Sequence, residues 1–300
     1  MHTQLDWSDV VTIREALSRA SSFLRKQGVA DPMFEAELLV RHCLGWDRTR
    51  FLISMGEPIP VAARDQLAAL CERRSRREPL QYMFGTQEFY GRPFHVRPGV
   101  LIPRPETEIL VEQLLCRAEK LWPADQSLQV VDIGTGSGAI CVTIACERPH
   151  WQVSTVDLSP DATAIARENA EQLGARVRFL QGDLVQPLLE AHEHVDILVS
   201  NPPYIPSRDV DELDDEVKAY EPRLALDGGD DGLDCYRRLC DALPSLLKQT
   251  ALVGFEVGIH QARDVASLMK ASGVIDQVEI VADLAGIDRV VIGIRTGRKE

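Results

Sequence analysis

A glycine-rich turn near the middle of the chain constrains the possible fold more than any other feature. The segment Asp132-Ile133-Gly134-Thr135-Gly136-Ser137-Gly138 follows a short apolar run and precedes a helical pattern. Its three glycines allow the backbone to turn tightly, and a ligand can approach such a turn without meeting a β-carbon. The sequence therefore predicts a strand, a turn and a helix of an α/β ligand-binding domain.

The rest of residues 101–300 supports this prediction, because short apolar segments alternate with helical patterns. The predicted strands are Leu128–Ile133, Gln152–Leu158, Val177–Gln181, Val195–Ser200, Ala251–Val257, Gln277–Ala282 and Arg289–Arg295. The predicted helices between them are Ala139–Ala145, Pro160–Leu173, Cys235–Leu247 and His260–Met269. Since the last two strands form a hairpin, one of them must run antiparallel to the others. We predict a doubly wound, mostly parallel seven-stranded sheet with a reversed last strand.

The first part of the chain has a different, helical pattern. Apolar residues at helical spacing lie between positions 13 and 24, and Asp31-Pro32 has the form of a helix start. Further helices are expected at 48–53 and from Pro60 toward Arg77, which together predict a small bundle. Aromatic residues and glycines in Tyr82–Val100 are typical of a β-hairpin. We therefore predict three parts: a helical domain at 1–83, a hairpin linker at 84–100 and the α/β domain at 101–300.

Acidic residues at the ends of the next two strands indicate what the turn binds. Asp157 can accept hydrogen bonds from both hydroxyls of a ribose, and Gly182-Asp183-Leu184 lies where an adenine could rest. The Gly-x-Gly-x-Gly pattern differs from the Gly-x-Gly-x-x-Gly of dinucleotide sites, since position 139 is alanine. These features favour S-adenosylmethionine, a sulfonium cofactor without pyrophosphate. A nicotinamide or flavin site, or a turn without a ligand, is the alternative.

The tetrapeptide Asn201-Pro202-Pro203-Tyr204 follows the fourth predicted strand of the domain and indicates the atom that is methylated. An amide or exocyclic amino nitrogen is a poor nucleophile because its lone pair is delocalised. The side-chain oxygen of Asn201 and the carbonyl of Pro202 can each accept one of its N–H groups, which fixes the angle of attack and stabilises the developing positive charge. Pro203 restricts the backbone, and Tyr204 can cover a flat substrate group. In isolation, an Asn-Pro turn without catalytic function is the alternative.

Composition limits the partners and the compartment. The net charge of −13 disfavours broad attraction to nucleic acid phosphate, so no direct nucleic acid partner is expected. No apolar run is long enough for a membrane helix, and the first residues do not resemble a signal peptide. Seven cysteines without a Cys-x-x-Cys pair indicate reduced thiols, and a cytoplasmic location is expected. Methyl transfer from a sulfonium needs no metal, and none is predicted; His192 and His194 are assigned to a solvated loop.

Taken together, these motifs resemble the peptide chain release factor glutamine methyltransferases (PrmC/HemK) over nearly the whole chain. Beyond Asn201–Tyr204, the resemblance rests on Pro79–Tyr82 with Gly85 and Phe89–Gly91, on Leu101–Glu108, and on Glu221–Gly229 with Asp231–Leu233 and Tyr236-Arg237. It implies a class I S-adenosylmethionine-dependent methyltransferase fold and a helical N-terminal domain that grips the partner. The implied substrate is the glutamine of the Gly-Gly-Gln motif in release factors.

By the same resemblance, Gly134 to Gly138 and Asp157 hold the cofactor, and Asp183, Leu184 and Asn201 are further cofactor contacts. Asn201 to Tyr204 also hold the glutamine amide. The family often places an aromatic residue after the acid of the third strand, whereas this chain has Leu184 after Asp183. Methyltransferases that modify a ribosomal-protein glutamine differ in the Pro-Arg segment, so Pro103–Glu108 favours a release factor as substrate.

Two other functions use the same motifs. A DNA or RNA amino-methyltransferase would place an adenine amino group against Asn201–Tyr204, and a sensor would bind the cofactor without turnover. Four arginines at 73, 74, 76 and 77 are interpreted as a solvated helix end, with docking to an acidic partner or to RNA as the alternative. Glu106 and Glu108 either neutralise the cofactor's charge or order the linker, and Glu256 and Gly258 are interpreted as structural.

Overall fold

The computed structural model describes residues 7–297 of the chain. The chain divides into two compact units, Met1–Phe84 and Gly85–Glu300.

The described part of the first unit is helical. Its helices are α1 (Ile13–Lys26), α2 (Pro32–Leu44), α3 (Arg48–Ile53), α4 (Val61–Ser75) and α5 (Leu80–Phe84). Thr12 and Glu15 form a capping box at the start of α1, and the side chain of Asp31 caps α2. Apolar side chains from the first four helices form its core, among them Ile13, Leu24, Leu39, Phe51 and Leu67. The predicted helical pattern of this region is confirmed.

Two details of the first unit correct the sequence analysis. Tyr82 lies in the short helix α5 and is not part of the hairpin. The four arginines at 73, 74, 76 and 77 do not form a solvated face, because the Arg74 side chain is buried and pairs with Glu35 at 2.5 Å. Arg77 donates to the backbone carbonyls of Gln27 and Gly28. At least these two arginines therefore hold helices of the unit together.

The second unit begins with a hairpin and continues as a three-layer α/β domain. The hairpin consists of β1 (Thr86–Phe89) and β2 (Arg92–His95). The other strands are β3 (Gln129–Ile133), β4 (Gln152–Asp157), β5 (Val177–Gln181), β6 (Val195–Ser200), β7 (Leu247–Glu256), β8 (Gln277–Ala282) and β9 (Asp288–Arg295). The helices are α6 (Pro105–Leu121), α7 (Ala139–Glu147), α8 (Pro160–Leu173), α9 (Gln186–Glu190), α10 (Asp215–Lys218), α11 (Asp234–Leu246) and α12 (Ala262–Ala271).

The seven strands β3 to β9 form one sheet in the order β5-β4-β3-β6-β7-β9-β8. Strands β3 to β7 are parallel, and β9 is antiparallel to both of its neighbours, β7 and β8. The predicted doubly wound sheet with a reversed last strand is confirmed. Apolar clusters cover both faces of the sheet, which explains why its central strands are almost continuously apolar.

Helix α6 is absent from the predicted elements. Pro105 occupies its first turn, where a proline costs no hydrogen bond, and Leu110 and Leu114 are buried on one face against the sheet. The amino end of this helix brings Arg104 and Thr107 to the carboxyl edge of the parallel strands, where ligands bind in such folds.

Candidate active site

A cavity of about 430 Å³ lies at the carboxyl edge of the parallel strands. Segments that follow β3, β4, β5 and β6 form its wall, together with residues that precede or begin α6. We call it the glycine-lined pocket; the predicted site residues in its wall are Gly134, Thr135, Gly136, Ser137, Asp157, Asp183, Leu184, Asn201 and Pro203. The other three predicted site residues, Gly138, Pro202 and Tyr204, do not line the cavity.

The glycines of the turn serve different purposes. Gly134, Gly136 and Gly138 all have positive φ angles, of 85°, 53° and 83°. A β-carbon at Gly138 would lie 3.0 Å from the β-carbon of Ala166, so this glycine allows helix packing. A β-carbon at Gly136 would meet no atom within 4 Å, and this residue lines the pocket. Gly136 is therefore the point at which a ligand can approach the backbone.

The Thr135 side chain faces the sheet. Its hydroxyl lies 2.6 Å from that of Thr155, which itself donates to the carbonyl of Asp132 at 3.0 Å. Because the single hydroxyl hydrogen of Thr155 is used there, Thr135 must be the donor in the hydroxyl pair. The buried Thr135 hydroxyl therefore fixes the turn and is not free to bind a ligand.

Asp157 connects the turn to the start of α8. Its carboxylate accepts from the backbone N–H of Gly136 at 2.9 Å and from that of Ser159 at 2.8 Å. Burial raises the pKa of Asp157 above its ordinary value. A carboxylate has about four lone-pair sites, so two bonds leave capacity for two hydroxyl donors.

The segment after β5 contributes a charged and an apolar side chain. Asp183 accepts from the guanidinium of Arg238 at 2.6 Å, and both residues line the pocket. Leu184 has a positive φ of 50°, and its side chain packs partly against the core. Arg238 is not among the predicted site residues, because its position on α11 carries no local signal. This part of the wall can accommodate a flat, largely apolar ring.

Asn201 and Pro202 each carry an oxygen that can accept a hydrogen bond. The amide nitrogen of Asn201 donates to the hydroxyl of Thr107 at 3.3 Å. Neither the side-chain oxygen of Asn201 nor the carbonyl oxygen of Pro202 has a hydrogen-bond partner within residues 7–297. Ser200, directly before them, donates to the carbonyl of Ile133 at 2.6 Å and so connects this loop to the strand that precedes the glycine turn.

A second loop supports the tetrapeptide from behind. The backbone N–H of Ile205 donates to the carbonyl of Leu226, and the amide of Gln261 donates to the carbonyl of Tyr204 at 2.9 Å. A β-carbon at Gly228 would lie 2.7 Å from the carbonyl oxygen of Pro203, and one at Gly232 would lie 2.2 Å from that of Tyr204. The glycines at 228 and 232 are therefore needed because two backbone segments pass this close together.

Thr107 and Glu256 lie next to Asn201, although the sequence analysis interpreted Glu256 as structural and did not select Thr107. The Thr107 hydroxyl donates to the Glu256 carboxylate at 2.5 Å, and both side chains are buried. Burial raises the pKa of Glu256 to about 7, and the Thr107 and Asn201 side chains oppose this shift as hydrogen-bond donors. No local motif indicates the pair, because 149 residues separate its members.

Glu108 and Arg104 order segments around the pocket. Glu108 accepts from the backbone N–H of Tyr90 at 2.7 Å, so of the two roles left open for it, the structure shows that it orders the hairpin. Arg104 donates to Glu221 at 2.6 Å, which connects the start of α6 to the segment before Pro222. Both residues belong to the Pro103–Glu108 motif.

Asn169 connects the hairpin to the glycine turn. Its side-chain oxygen accepts from the N–H of His95 at 2.7 Å, and its amide nitrogen donates to the carbonyls of His95 and Ser137 at 3.0 and 2.8 Å. The side chain is fully buried on α8. Three backbone groups therefore depend on this one side chain, which the sequence analysis missed.

We expect Asn169→Ala to destabilise the second unit by about 2–4 kcal/mol, because it leaves backbone donors and acceptors without partners in a buried place. Calorimetric unfolding of the variant and the wild-type protein measures the effect. An unchanged unfolding temperature would mean that the hydrogen bonds of the Asn169 side chain do not contribute to stability.

Two family models match parts of the chain. A family model described as the PrmC N-terminal domain matches residues 15–85, and one described as the methyltransferase small domain matches residues 105–216. A release factor glutamine methyltransferase from Bacillus anthracis is 43% identical over 279 residues, which cover 93% of this chain and 98% of that protein. The protein of the same name from Geobacter sulfurreducens is 43% identical over 285 residues, 95% of this chain and 97% of that protein.

The chain belongs to the release factor glutamine methyltransferase family. Among solved structures, a methyltransferase from Pyrococcus furiosus has a TM-score of 0.53 and 16% identity, covering 75% of this chain and 98% of that one, which supports the fold alone. The predicted class I methyltransferase fold with a helical N-terminal domain is thus confirmed for this family member.

The described residues contain neither a membrane-spanning helix nor a group of metal ligands. No helix within residues 7–297 combines the length and apolar character of a membrane span. In the same part of the chain, no three His, Cys, Asp or Glu side chains are grouped as metal ligands would be, and His192 and His194 belong to no such group.

Proposed function

We propose that the chain transfers a methyl group from S-adenosylmethionine to the side-chain amide nitrogen of the glutamine in the Gly-Gly-Gln motif of peptide chain release factors. One observation carries the proposal: among the residues that the structure describes, the side-chain oxygen of Asn201 and the carbonyl oxygen of Pro202 have no hydrogen-bond partner, and Asn201 itself forms part of the wall of the glycine-lined pocket. Two such acceptors match the two N–H groups of a primary amide.

The pocket fits S-adenosylmethionine by the chemistry of its wall. Asp157 has capacity for two ribose hydroxyls, and the open space at Gly136 admits the ligand close to the backbone. Leu184 offers an apolar surface to an adenine, in place of the aromatic residue frequent in the family. When bound, the cofactor supplies a methyl group activated by a sulfonium.

The chain's own residues would hold and polarise the substrate amide. Asn201 and Pro202 accept its two N–H groups, which orients the nitrogen and stabilises the positive charge that develops on it. These acceptors are in place before the reaction, because the backbone behind them is fixed by Gln261 and by the close approach of Gly228 and Gly232. Positioning of this kind can supply much of the rate enhancement of a bimolecular transfer.

The rest of the chain supports a release factor over other amide or amino substrates. Curated relatives with this name match over nearly their full length. We propose residues 1–83 as the docking domain, 84–100 as the linker and 101–300 as the catalytic domain. Several large apolar side chains of the first unit are exposed, as a docking surface requires: Val11, Met33, Phe34, Leu52, Ile53 and Val61. A substrate of the translation machinery implies action in the cytoplasm.

Mass spectrometry tests the proposal directly. Purified release factor is incubated with the protein and S-adenosylmethionine, beside parallel reactions that contain a ribosomal protein or nucleic acid. We expect a gain of one methyl group that maps to the Gly-Gly-Gln glutamine, and none when this residue is asparagine. Methylation of nucleic acid or of the ribosomal protein in place of the release factor would overturn the substrate assignment.

A further inference from the structure

We propose that Thr107 and Glu256 are positioning residues that determine which end of the Asn201 amide faces the substrate. This inference rests on the proposed function, because it concerns the group that would hold the glutamine amide. It assigns a task to two buried side chains, of which Thr107 lines the pocket.

An asparagine side chain can present either its oxygen or its NH₂ group, and the two have nearly the same shape. Only the oxygen can accept a substrate N–H; the NH₂ group would place two donors against the donors of the substrate amide. The reaction therefore needs a device that selects one of the two orientations of Asn201.

The hydrogen bonds around Thr107 select the required orientation. An ionised Glu256 can only accept, so the Thr107 hydroxyl must give its one hydrogen to it, as the 2.5 Å contact indicates. The Thr107 oxygen then has only lone pairs left, and the group of Asn201 that faces it at 3.3 Å must be the NH₂. The Asn201 NH₂ thus faces two acceptors, the Thr107 oxygen and the ionised Glu256 carboxylate to which it also donates, and this turns the Asn201 oxygen away from both.

Other contacts hold Glu256 in this place. It ends strand β7, and its backbone carbonyl accepts from the buried hydroxyl of Tyr236 at 2.7 Å. The titratable or charged groups that interact with its carboxylate come from four segments: α6 (Glu106), the loop after β6 (Tyr204), α11 (Tyr236) and β9 (Arg289). Glu106 disfavours the ionised form, whereas Arg289 favours it.

A pair of variants at Thr107 tests the inference. Thr107→Val keeps the shape of the side chain and removes the hydroxyl, whereas Thr107→Ser keeps the hydroxyl and loses a methyl group. We expect Thr107→Val to lower kcat for glutamine methylation about tenfold, the rate equivalent of one lost hydrogen bond, with KM for S-adenosylmethionine unchanged. We expect Thr107→Ser to retain most of the wild-type kcat.

The readout separates this inference from the proposed function. If the wild-type protein methylates no release factor glutamine, the function fails. If the wild-type protein is active and Thr107→Val has the same kcat, or if the serine variant is impaired as much as the valine variant, the positioning role fails. If the role of Thr107 were purely structural, kcat of both variants would fall in proportion to their loss of thermal stability.

The pH profile gives a second readout. With a pKa of about 7, Glu256 becomes protonated as the pH falls through neutrality, and its O–H then donates to Thr107 in the reverse direction. We expect kcat of the wild-type protein to fall below about pH 7, and Glu256→Gln, which cannot titrate, to lack this step. Persistence of the same step in Glu256→Gln would contradict the assignment to Glu256.

Discussion

Asn201→Ala is expected to lower kcat for glutamine methylation by about 10²–10³-fold, the loss typical of one preorganised group that stabilises transition-state charge. The variant removes the acceptor for one substrate N–H and leaves the Pro202 carbonyl in place. Affinity for S-adenosylmethionine should change little, because Asp157 and the turn at Gly136 are untouched. Steady-state kinetics with purified release factor and calorimetric titration of the cofactor measure the two quantities separately.

The control for this variant is Gln249→Ala, which removes an exposed amide from strand β7 at the end opposite Glu256. We expect it to retain wild-type kcat. Equal cofactor affinity with unimpaired methylation in Asn201→Ala would show that the amide oxygen is not used. A parallel loss of cofactor affinity and kcat would instead assign Asn201 to the cofactor.

Gly136→Ala is expected to weaken the binding of S-adenosylmethionine by tenfold or more, roughly the cost of 1.4 kcal/mol or above. The added β-carbon would occupy the open space at the pocket wall, where the backbone now meets no atom within 4 Å. The variant also places alanine at a φ of 53°, which costs about 1–2 kcal/mol of stability. Equilibrium dialysis with labelled cofactor, together with thermal unfolding, gives both values.

Gly174→Ala is a matched control for the backbone effect. Gly174 has a φ of 67°, also has no atom within 4 Å of an added β-carbon, and ends helix α8 outside the pocket wall. Both alanine variants should therefore lose similar stability, while only Gly136→Ala loses cofactor affinity. Similar affinity in the two variants would mean that no ligand approaches the turn at Gly136.

The sequence predicted the sheet well because most of its parallel strands are short, apolar and followed by a recognisable turn. Strand β7 is the exception: it begins at Leu247, before the predicted start at Ala251. Strands β5 and β6 have the predicted bounds, Val177–Gln181 and Val195–Ser200. The reversed strand was predictable because the last two strands form a hairpin. Helix α6 was missed although Pro105 and the spacing of Leu110 and Leu114 carried its signal. Only Pro105 belongs to the Leu101–Glu108 motif; Leu110 and Leu114 lie beyond it, at the spacing of one helical face.

The site was predictable where a residue follows a strand, and unpredictable where its role depends on distant partners. Asp157 and Asn201 follow β4 and β6, so the topology alone places them at one edge of the sheet. Thr107 lies 94 residues from Asn201, and Asn169 lies 74 residues from His95, so no local pattern connects these pairs. The burial of Arg74 was missed for the same reason, since its partner Glu35 lies on another helix.

The pairing of β3 with β6 has a consequence for how the enzyme loses activity. Ile133, directly before the turn, is the ladder partner of Ser200, directly before Asn201. The two halves of the catalytic centre are thus joined by the innermost hydrogen bonds of the sheet, which open only with the most protected part of such a fold. On heating or in denaturant, the distance between the glycine turn and Asn201 should therefore stay unchanged until the amide protons of β3 and β6 exchange with solvent. Peripheral parts of the domain can unfold before that point.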